Sequence, residues 1–177
     1  MYSEQNLTEM IVPFYLGEKP DSKGRTIQQI WTWNFEDLEC VHDYIQWLFP
    51  ISEKSYFNPN APVLDEKVIQ TFQKDCELQA NLLKSFTVML HFYGLHLINL
   101  QGKVGVEKSD NYLERKQEWI NLLNHNYLRI TRILKCLIAL GLSREAQTFY
   151  KCLSQIHREN SDQIGAETYQ YWTNAVN

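Results

Sequence analysis

The chain has 177 residues, of which 44% are hydrophobic and 13% aromatic, with a formal net charge of −4. That length suits one domain able to bury roughly 70% of the surface its unfolded chain exposes, and the apolar fraction excludes a disordered chain. The weakly acidic balance argues against general affinity for nucleic acid or anionic membranes.

The N-terminal residues lack a basic region followed by an apolar one, so no leader is expected. The richest apolar stretch, Leu82 to Leu100, is interrupted by Lys84, Ser85, Thr87, His91 and His96, so no membrane insertion is expected either. Cys40, Cys76, Cys136 and Cys152 lie far apart without a C-x-x-C pair and each falls in an expected helix. They read as reduced, mostly packed thiols of a cytoplasmic protein, with no disulfide and no metal site. His91 and His96 straddle Gly94, a poor arrangement for metal or haem. There is no Gly-rich phosphate loop, no G-x-S-x-G and no H-E-x-x-H, so no cofactor is expected.

In chain order, residues 1–20 carry no periodicity and read as an irregular N-terminal arm anchored by Phe14 and Tyr15. Asp21, Ser22 and Gly24 make a turn, and Thr26 with Gln29 forms a capping box for a short helix through Trp33. A continuous helix is expected from Glu36 to Leu48, with Leu38, Val41, Ile45 and Leu48 on one face and Pro50 as its stop. From Ile51 to Leu64 the chain carries three prolines, and Pro59 and Pro62 make this loop stiff.

A helix from about Asp65 to Gln73 follows, then a longer one capped by Asp75, reaching Tyr93, with Gly94 beyond its end. Leu95 to Lys108 is the one candidate for strands, a small hairpin around Gln101-Gly102. Further helices are expected from Asp110 or Asn111 to Leu123, from Asn126 to Leu140 ending at Gly141, from a Ser143 cap to about His157, and from about Asp162 to Ala175. The fold class is therefore all-α: a single compact multi-helix domain over residues 1–177 with at most one β-hairpin near residues 95–108.

Three words carry the functional signal. In HDYIQWLFP (His42–Pro50), a helical register puts His42 within the apolar face and turns Asp43 away. His42 then reads as a buried, hydrogen-bonded structural histidine, or as a catalytic one. Trp47 lies opposite the core stripe, so a second layer covers it or it lines a cleft. In FNPNAP (Phe57–Pro62), Asn58 and Asn60 make Asx turns or hold donors and acceptors for a ligand.

HNYLRITRILK (His125–Lys135) stacks His125, Arg129, Arg132 and Cys136 along one stripe of a helix that is otherwise apolar nearly all round. Two guanidinium groups there must meet carboxylates, with Glu36, Glu39 and Asp43 as candidates, or an anionic ligand. His125 and Asn126 add donors at a helix start, which itself favours anions.

These words resemble the conserved N-terminal domain of the opioid growth factor receptor family, over approximately Phe14 to Trp172. The resemblance implies a stand-alone member of the kind found in bacteria and lower eukaryotes. In the animal members the family is associated with binding the pentapeptide Met-enkephalin and with growth regulation at the nuclear envelope. Two readings remain. The first is a non-catalytic binding module for a small anionic molecule or peptide, through His42, Asp43, Trp47, Asn58, Asn60, His125, Asn126, Arg129 and Arg132. The second is an enzyme acting on a phosphorylated small molecule, with His42 and His125 as acid/base groups.

Overall fold

Short polar side chains write the helix starts in this chain. The computed structural model describes residues 4–55, 58, 60–100 and 102–177. Its helices are α1 (Glu4–Glu9), α2 (Ile11–Tyr15), α3 (Ile27–Trp31), α4 (Phe35–Cys40), α5 (Ile45–Leu48), α6 (Glu66–Lys74) and α7 (Cys76–Phe92). After them come the strands β1 (Leu95–Leu100) and β2 (Lys103–Lys108) and the helices α8 (Tyr112–Trp119), α9 (Asn126–Ala139), α10 (Ser143–Glu159) and α11 (Ala166–Val176). The expected capping box opens α3, the Asn34 side chain caps α4, and Asp65 caps α6. The Asp75 carboxylate accepts from the backbone N–H groups of Glu77 and Leu78 to start α7. Gly94 follows α7 with φ +74° and Gly141 follows α9 with φ +99°, the left-handed positions that end helices.

The described residues gather into two compact units, Met1–Ser85 with Ala139–Gly141, and Phe86–Ile138 with Leu142–Asn177. In the first, Phe14 meets Trp47 at 5.3 Å between ring centroids and Tyr15 meets Phe72 at 4.9 Å, both edge to face. The Trp31 indole N–H donates to Ser85 Oγ at 2.9 Å. The loop after α5 makes a parallel bridge between Ile51 and Val63, and Thr8 donates to the Val63 carbonyl at 2.9 Å.

In the second unit α10 packs along β2 and against α11. Its core pairs Phe86 with Phe149, Tyr93 with Trp119 and Tyr127 with Trp172 at 5.3, 5.2 and 5.9 Å. Trp47, Trp119 and Trp172 are each at most 1% exposed. A buried indole removes about 150–250 Å² from water, or about 4–6 kcal/mol of transfer free energy before ordering costs.

The hairpin falls where the sequence places it. Its register runs from Leu95↔Lys108 to Leu100↔Lys103, antiparallel. Gly105 sits opposite Ile98, where a Cβ would come within 2.8 Å of the isoleucine side chain, so only glycine lets the two strands pair with Ile98 in place. Lys108 closes on Glu159 at 2.5 Å and ties β2 to α10.

Side chains satisfy the last carbonyls of the helices, which have no partner within their own helix. Asn81 donates to Tyr15 O at the end of α2, Tyr44 to Leu38 O in α4, and Tyr15 to Leu48 O in α5. Gln79 donates to Phe72 O in α6, Arg115 and Trp119 to Phe92 O and Tyr93 O at the end of α7, and Asn124 to Glu118 O in α8. Gln73 serves Ala139 O, Asn160 serves Ile156 O, and Gln147 serves Val176 O.

Five expectations are corrected. Residues 1–20 are not an irregular arm: α1 and α2 lie there, although Phe14 and Tyr15 are fully buried anchors as expected. The helix from Glu36 to Leu48 is broken into α4 and α5, with Val41 extended at φ −86° and ψ 128°. In a continuing helix the Leu38 carbonyl would accept from the residue 42 amide, but the Tyr44 hydroxyl takes it at 3.0 Å.

The helix expected to reach Leu123 stops at Trp119. Its indole N–H is committed to Tyr93 O at 3.1 Å, and Asn121 and Asn124 take the Glu118 carbonyl. Leu142 rather than Ser143 occupies the cap of α10, and Ser143 is its first helical residue. The last helix starts at Ala166, because Asn160 O first accepts from Gln163 and Ile164, making a turn that buries Ile164. Phe57, Pro59 and Gln101, assigned to the stiff loop and the hairpin turn, lie outside the described residues.

Gly94 and Gly102 both adopt positive φ but differ in surroundings. A Cβ on Gly94 would lie 2.8 Å from Tyr112 Cα and 2.9 Å from Arg115 Cβ, whereas nothing lies within 4 Å of one on Gly102. Gly102→Ala is expected to cost only the left-handed conformation, about 1 kcal/mol, and Gly94→Ala about 2–3 kcal/mol because backbone must also shift. Urea denaturation of the two variants measures the difference, and equal losses would contradict this account.

Candidate functional site

Helix α9 begins with a sequence of side-chain commitments. Asn124 Oδ1 accepts from the Asn126 backbone N–H at 2.9 Å, and Asn124 Nδ2 holds Asn121 Oδ1 and the Glu118 carbonyl, each at 3.0 Å. Tyr127 donates to Asn121 O at 2.9 Å. This bracing fixes the first turn of α9, where Asn126 is fully buried. Its Oδ1 accepts from Arg129 Nη1 at 3.2 Å. Arg129 is 5% exposed, so its guanidinium sits among buried groups and is oriented by a neutral amide one turn away.

Arg132 is half-buried one turn further on. Its charge reaches Cys136, which burial pushes above the ordinary thiol range while Arg132 pulls it partway down. His125 is half-buried at the helix start, and its carbonyl accepts from the Leu128 amide at 3.2 Å. Of the expected stripe of His125, Arg129, Arg132 and Cys136, the last three lie on α9 and His125 just precedes its first residue, with Asn126 orienting the most buried charge. Chemically, such a group supplies fixed N–H donors for a carboxylate or phosphate oxygen.

The remaining candidates belong to the first unit, each in a different setting. His42 is exposed on the segment between α4 and α5, which corrects its reading as a buried structural histidine. With the helix broken at Val41, the register that put His42 beside Leu38 and Ile45 does not exist. Trp47 is 1% exposed and covered by Phe14, so coverage rather than a cleft accounts for it. Asn58 accepts from the Asn60 backbone N–H at 3.2 Å through Oδ1 and from Ala61 at 3.0 Å through its carbonyl, an Asx turn with Asn60 exposed.

Asp43 holds a guanidinium that sequence reasoning did not single out. Its Oδ1 accepts from Arg25 Nη1 at 2.7 Å. Arg25 Nε also donates to Asp21 Oδ2 at 2.6 Å, and its carbon lies 5.7 Å from the Trp33 ring centroid. Arg25 Nη2 lies 2.6 Å from Asp21 Oδ2 without hydrogen-bond geometry, adding charge attraction only. The Asp21 carboxylate is fully buried and accepts from the Lys23 and Arg25 amides at 2.8 and 2.9 Å.

The signal available for this cluster was the D-S-K-G-R turn, whose Gly24 adopts φ +82° and brings residue 25 back over residue 21. Gln46, 8% exposed and with no hydrogen-bond partner for Oε1 among the described residues, is a second residue that pattern reading passed over. Cys40 and Cys76 are exposed, which corrects their reading as packed thiols.

Two expectations follow. Arg25→Ala leaves the buried Asp21 carboxylate without its guanidinium and is expected to cost about 2 kcal/mol, since Arg25 keeps some solvent contact. Asp43→Asn acts on a partly exposed pair and should cost about 1 kcal/mol or less. Denaturation midpoints of the two variants test this ranking, and the reverse order would refute it.

The cysteines should react in sequence with a thiol reagent: Cys40 and Cys76 in the native protein, Cys152 slowly, Cys136 only on unfolding. Burial also pushes Cys152 up to about 11. The native state therefore holds these two thiol protons beyond the ordinary value of 9.0. Their contribution to stability is complete below that value and is lost as pH rises above it. Replacing both by alanine should flatten the alkaline fall in stability between about pH 9 and 11, measured by urea titration at each pH.

Residues 5–177 match the family model described as the opioid growth factor receptor conserved region. The chain is 43% identical over 116 residues to the opioid growth factor receptor of Homo sapiens, covering 66% of this chain and 17% of the human protein. It is 41% identical over 133 residues to opioid growth factor receptor-like protein 1 of Mus musculus, covering 73% of this chain and 26% of that protein. The Xenopus tropicalis counterpart is 40% identical over 134 residues, 72% of this chain and 25% of its own length. The chain thus spans between about a sixth and a quarter of the length of the curated relatives it matches. No solved structure matches. Among the described residues no helix is long and apolar enough to cross a membrane. With its conserved region matched from residue 5 to residue 177, the chain belongs to the opioid growth factor receptor family.

Proposed function

We propose that this conserved region is a non-catalytic binding module that recognises a small anionic ligand or the terminal carboxylate of a short peptide at the start of α9. The observation that carries the reading is Arg129, a guanidinium 5% exposed and held by Asn126 Oδ1 in the first turn of a 14-residue helix. A cation kept that dry attracts an incoming carboxylate or phosphate more strongly than a surface arginine does, because water screens it less. Arg132 adds a second charge from the same stripe, and His125 and Asn126 add donors beside it. The name of the relatives, opioid growth factor receptor, supports a peptide as the ligand. In the first unit Asp43 is paired with Arg25, Trp47 is covered by Phe14, and Asn58 closes an Asx turn with Asn60, so the proposed site does not draw on them or on His42.

Thermal melts with and without phosphate, sulfate and Met-enkephalin test this. A ligand at ten times its Kd should stabilise the wild-type protein by about 1.4 kcal/mol. Arg132→Ala should abolish that gain while retaining a cooperative melt. Arg132 serves here because it is half-buried, so its loss perturbs the fold less than removing Arg129. No response of the wild-type protein to any of the three would overturn the proposal.

A further inference from the structure

We propose that the outer face of α8, with the turn that follows it, docks a basic amphipathic helix of another protein. Five large hydrophobic side chains are exposed among the described residues, and four of them, Leu113, Leu122, Leu123 and Leu128, fall in this one stretch. Exposed leucines scattered singly need no explanation, whereas a cluster marks a recognition surface. Leu123 is 99% exposed and Leu122 68%. Leu123 is also the one non-glycine residue with positive φ, 60°, among the described residues. That left-handed conformation crowds a Cβ, and glycine takes it more readily.

The turn is tied on both sides of the leucine pair, so the pair is held outward. Trp119 fixes the end of α8 to Tyr93 O at 3.1 Å. Asn124 Nδ2 donates to Asn121 Oδ1 at 3.0 Å across the pair, and Tyr127 donates to Asn121 O at 2.9 Å. Leu123 thus bears a backbone cost with no burial in the chain to offset it, and such a feature points to a contact outside the chain.

Charge beside the leucines selects the occupant. The exposed side chains of α8 are Leu113, Glu114, Gln117 and Glu118, so the two carboxylates share this face one turn apart. Neither has a cation partner among the described residues. The cations of α8 are turned elsewhere: Lys116 bears on Glu159, and the buried Arg115 donates to Phe92 O. On α9, Arg129 is buried, and Arg132 and Lys135 lie one and two turns beyond Leu128. An acidic rim repels a second copy of itself and an anionic membrane, and it attracts lysine and arginine. A helix with an apolar stripe flanked by basic side chains meets both the leucines and the carboxylates. The surface shares no side chain with the anion site proposed on α9 and is tested separately from it.

Fluorescence anisotropy of the full chain against a labelled amphipathic helical peptide of leucine and lysine tests this, with the leucine and glutamate counterpart as control. The expected result is saturable binding of the lysine peptide, weakened by salt, and none of the glutamate peptide. Leu123→Gly should keep the wild-type melt, because glycine takes positive φ freely, yet weaken lysine-peptide binding at least about tenfold. Glu114→Lys with Glu118→Lys should reverse the preference between the two peptides. Absence of lysine-peptide binding overturns the proposal, as does binding that Leu123→Gly and the charge reversal both leave unchanged. Binding to phosphatidylcholine vesicles that Leu123→Gly abolishes, without lysine-peptide binding, would assign the leucines to a lipid surface and overturn the protein partner.

Discussion

A chain built from many short helices must dispose of many helix-end carbonyls, and this requirement organises the molecule. The C-terminal end of each helix leaves four C=O groups without an intrahelical partner, and a buried carbonyl left unpaired costs about 1–3 kcal/mol. Here the donors are the polar tips of side chains that also build the core. Tyr15, Tyr44 and Trp119 bury their rings and donate to the helix-end carbonyls of Leu48, Leu38 and Tyr93, while the buried Trp172 donates to Tyr127 O near the start of α9. Gln73, Gln79 and Gln147 donate to helix-end carbonyls from exposed or half-buried positions. A large aromatic fraction thus satisfies hydrogen bonds as well as excluding water.

The same economy shapes the charged groups. In the first unit Arg25 is held between two aspartates and laid near Trp33, and the Asp21 carboxylate has its backbone donors as well. Such a cluster is internally matched and fixes the turn at Gly24 to the break between α4 and α5. On α9 one contact of Arg129 is to a neutral amide, Asn126 Oδ1, in a helix start braced by Asn124 and Asn121. A pre-oriented cation with little solvent contact favours an anionic group over an uncharged one, which is the physical ground of the binding role proposed for α9.

What could be read in advance followed from local chemistry. Thr26 with Gln29, Asp65, Asp75, Gly94 and Gly141 act within a few residues of themselves, and the structure places each at the helix end expected of it. The hairpin was legible for the same reason. The breaks at Val41 and after Trp119 were not, because each depends on a donor whose bond is set by the folded chain: Tyr44 on Leu38 O and Trp119 on Tyr93 O. An apolar face at spacings of three and four is blind to such a donor. The exposure of His42 was lost with the same helix break. The stripe on α9 survived from Arg129 through Arg132 to Cys136 because these lie on one uninterrupted helix, with His125 just before its start. Arg25 escaped notice because its partners are 4 and 18 residues away in a turn and a broken helix, where no periodicity points to them.

The central claim, that the arginines of α9 receive an anionic group, is tested most directly by their own side-chain resonances. With the protein labelled at arginine, the Nε–Hε signals of Arg129 and Arg132 are followed by nuclear magnetic resonance while phosphate, and separately Met-enkephalin, is titrated in. The account predicts saturable shifts of both signals with one dissociation constant for a given ligand, and a loss of the Arg129 response when Asn126→Ala removes the amide that orients it. Signals of Arg129 and Arg132 that stay fixed while resonances elsewhere move would contradict it.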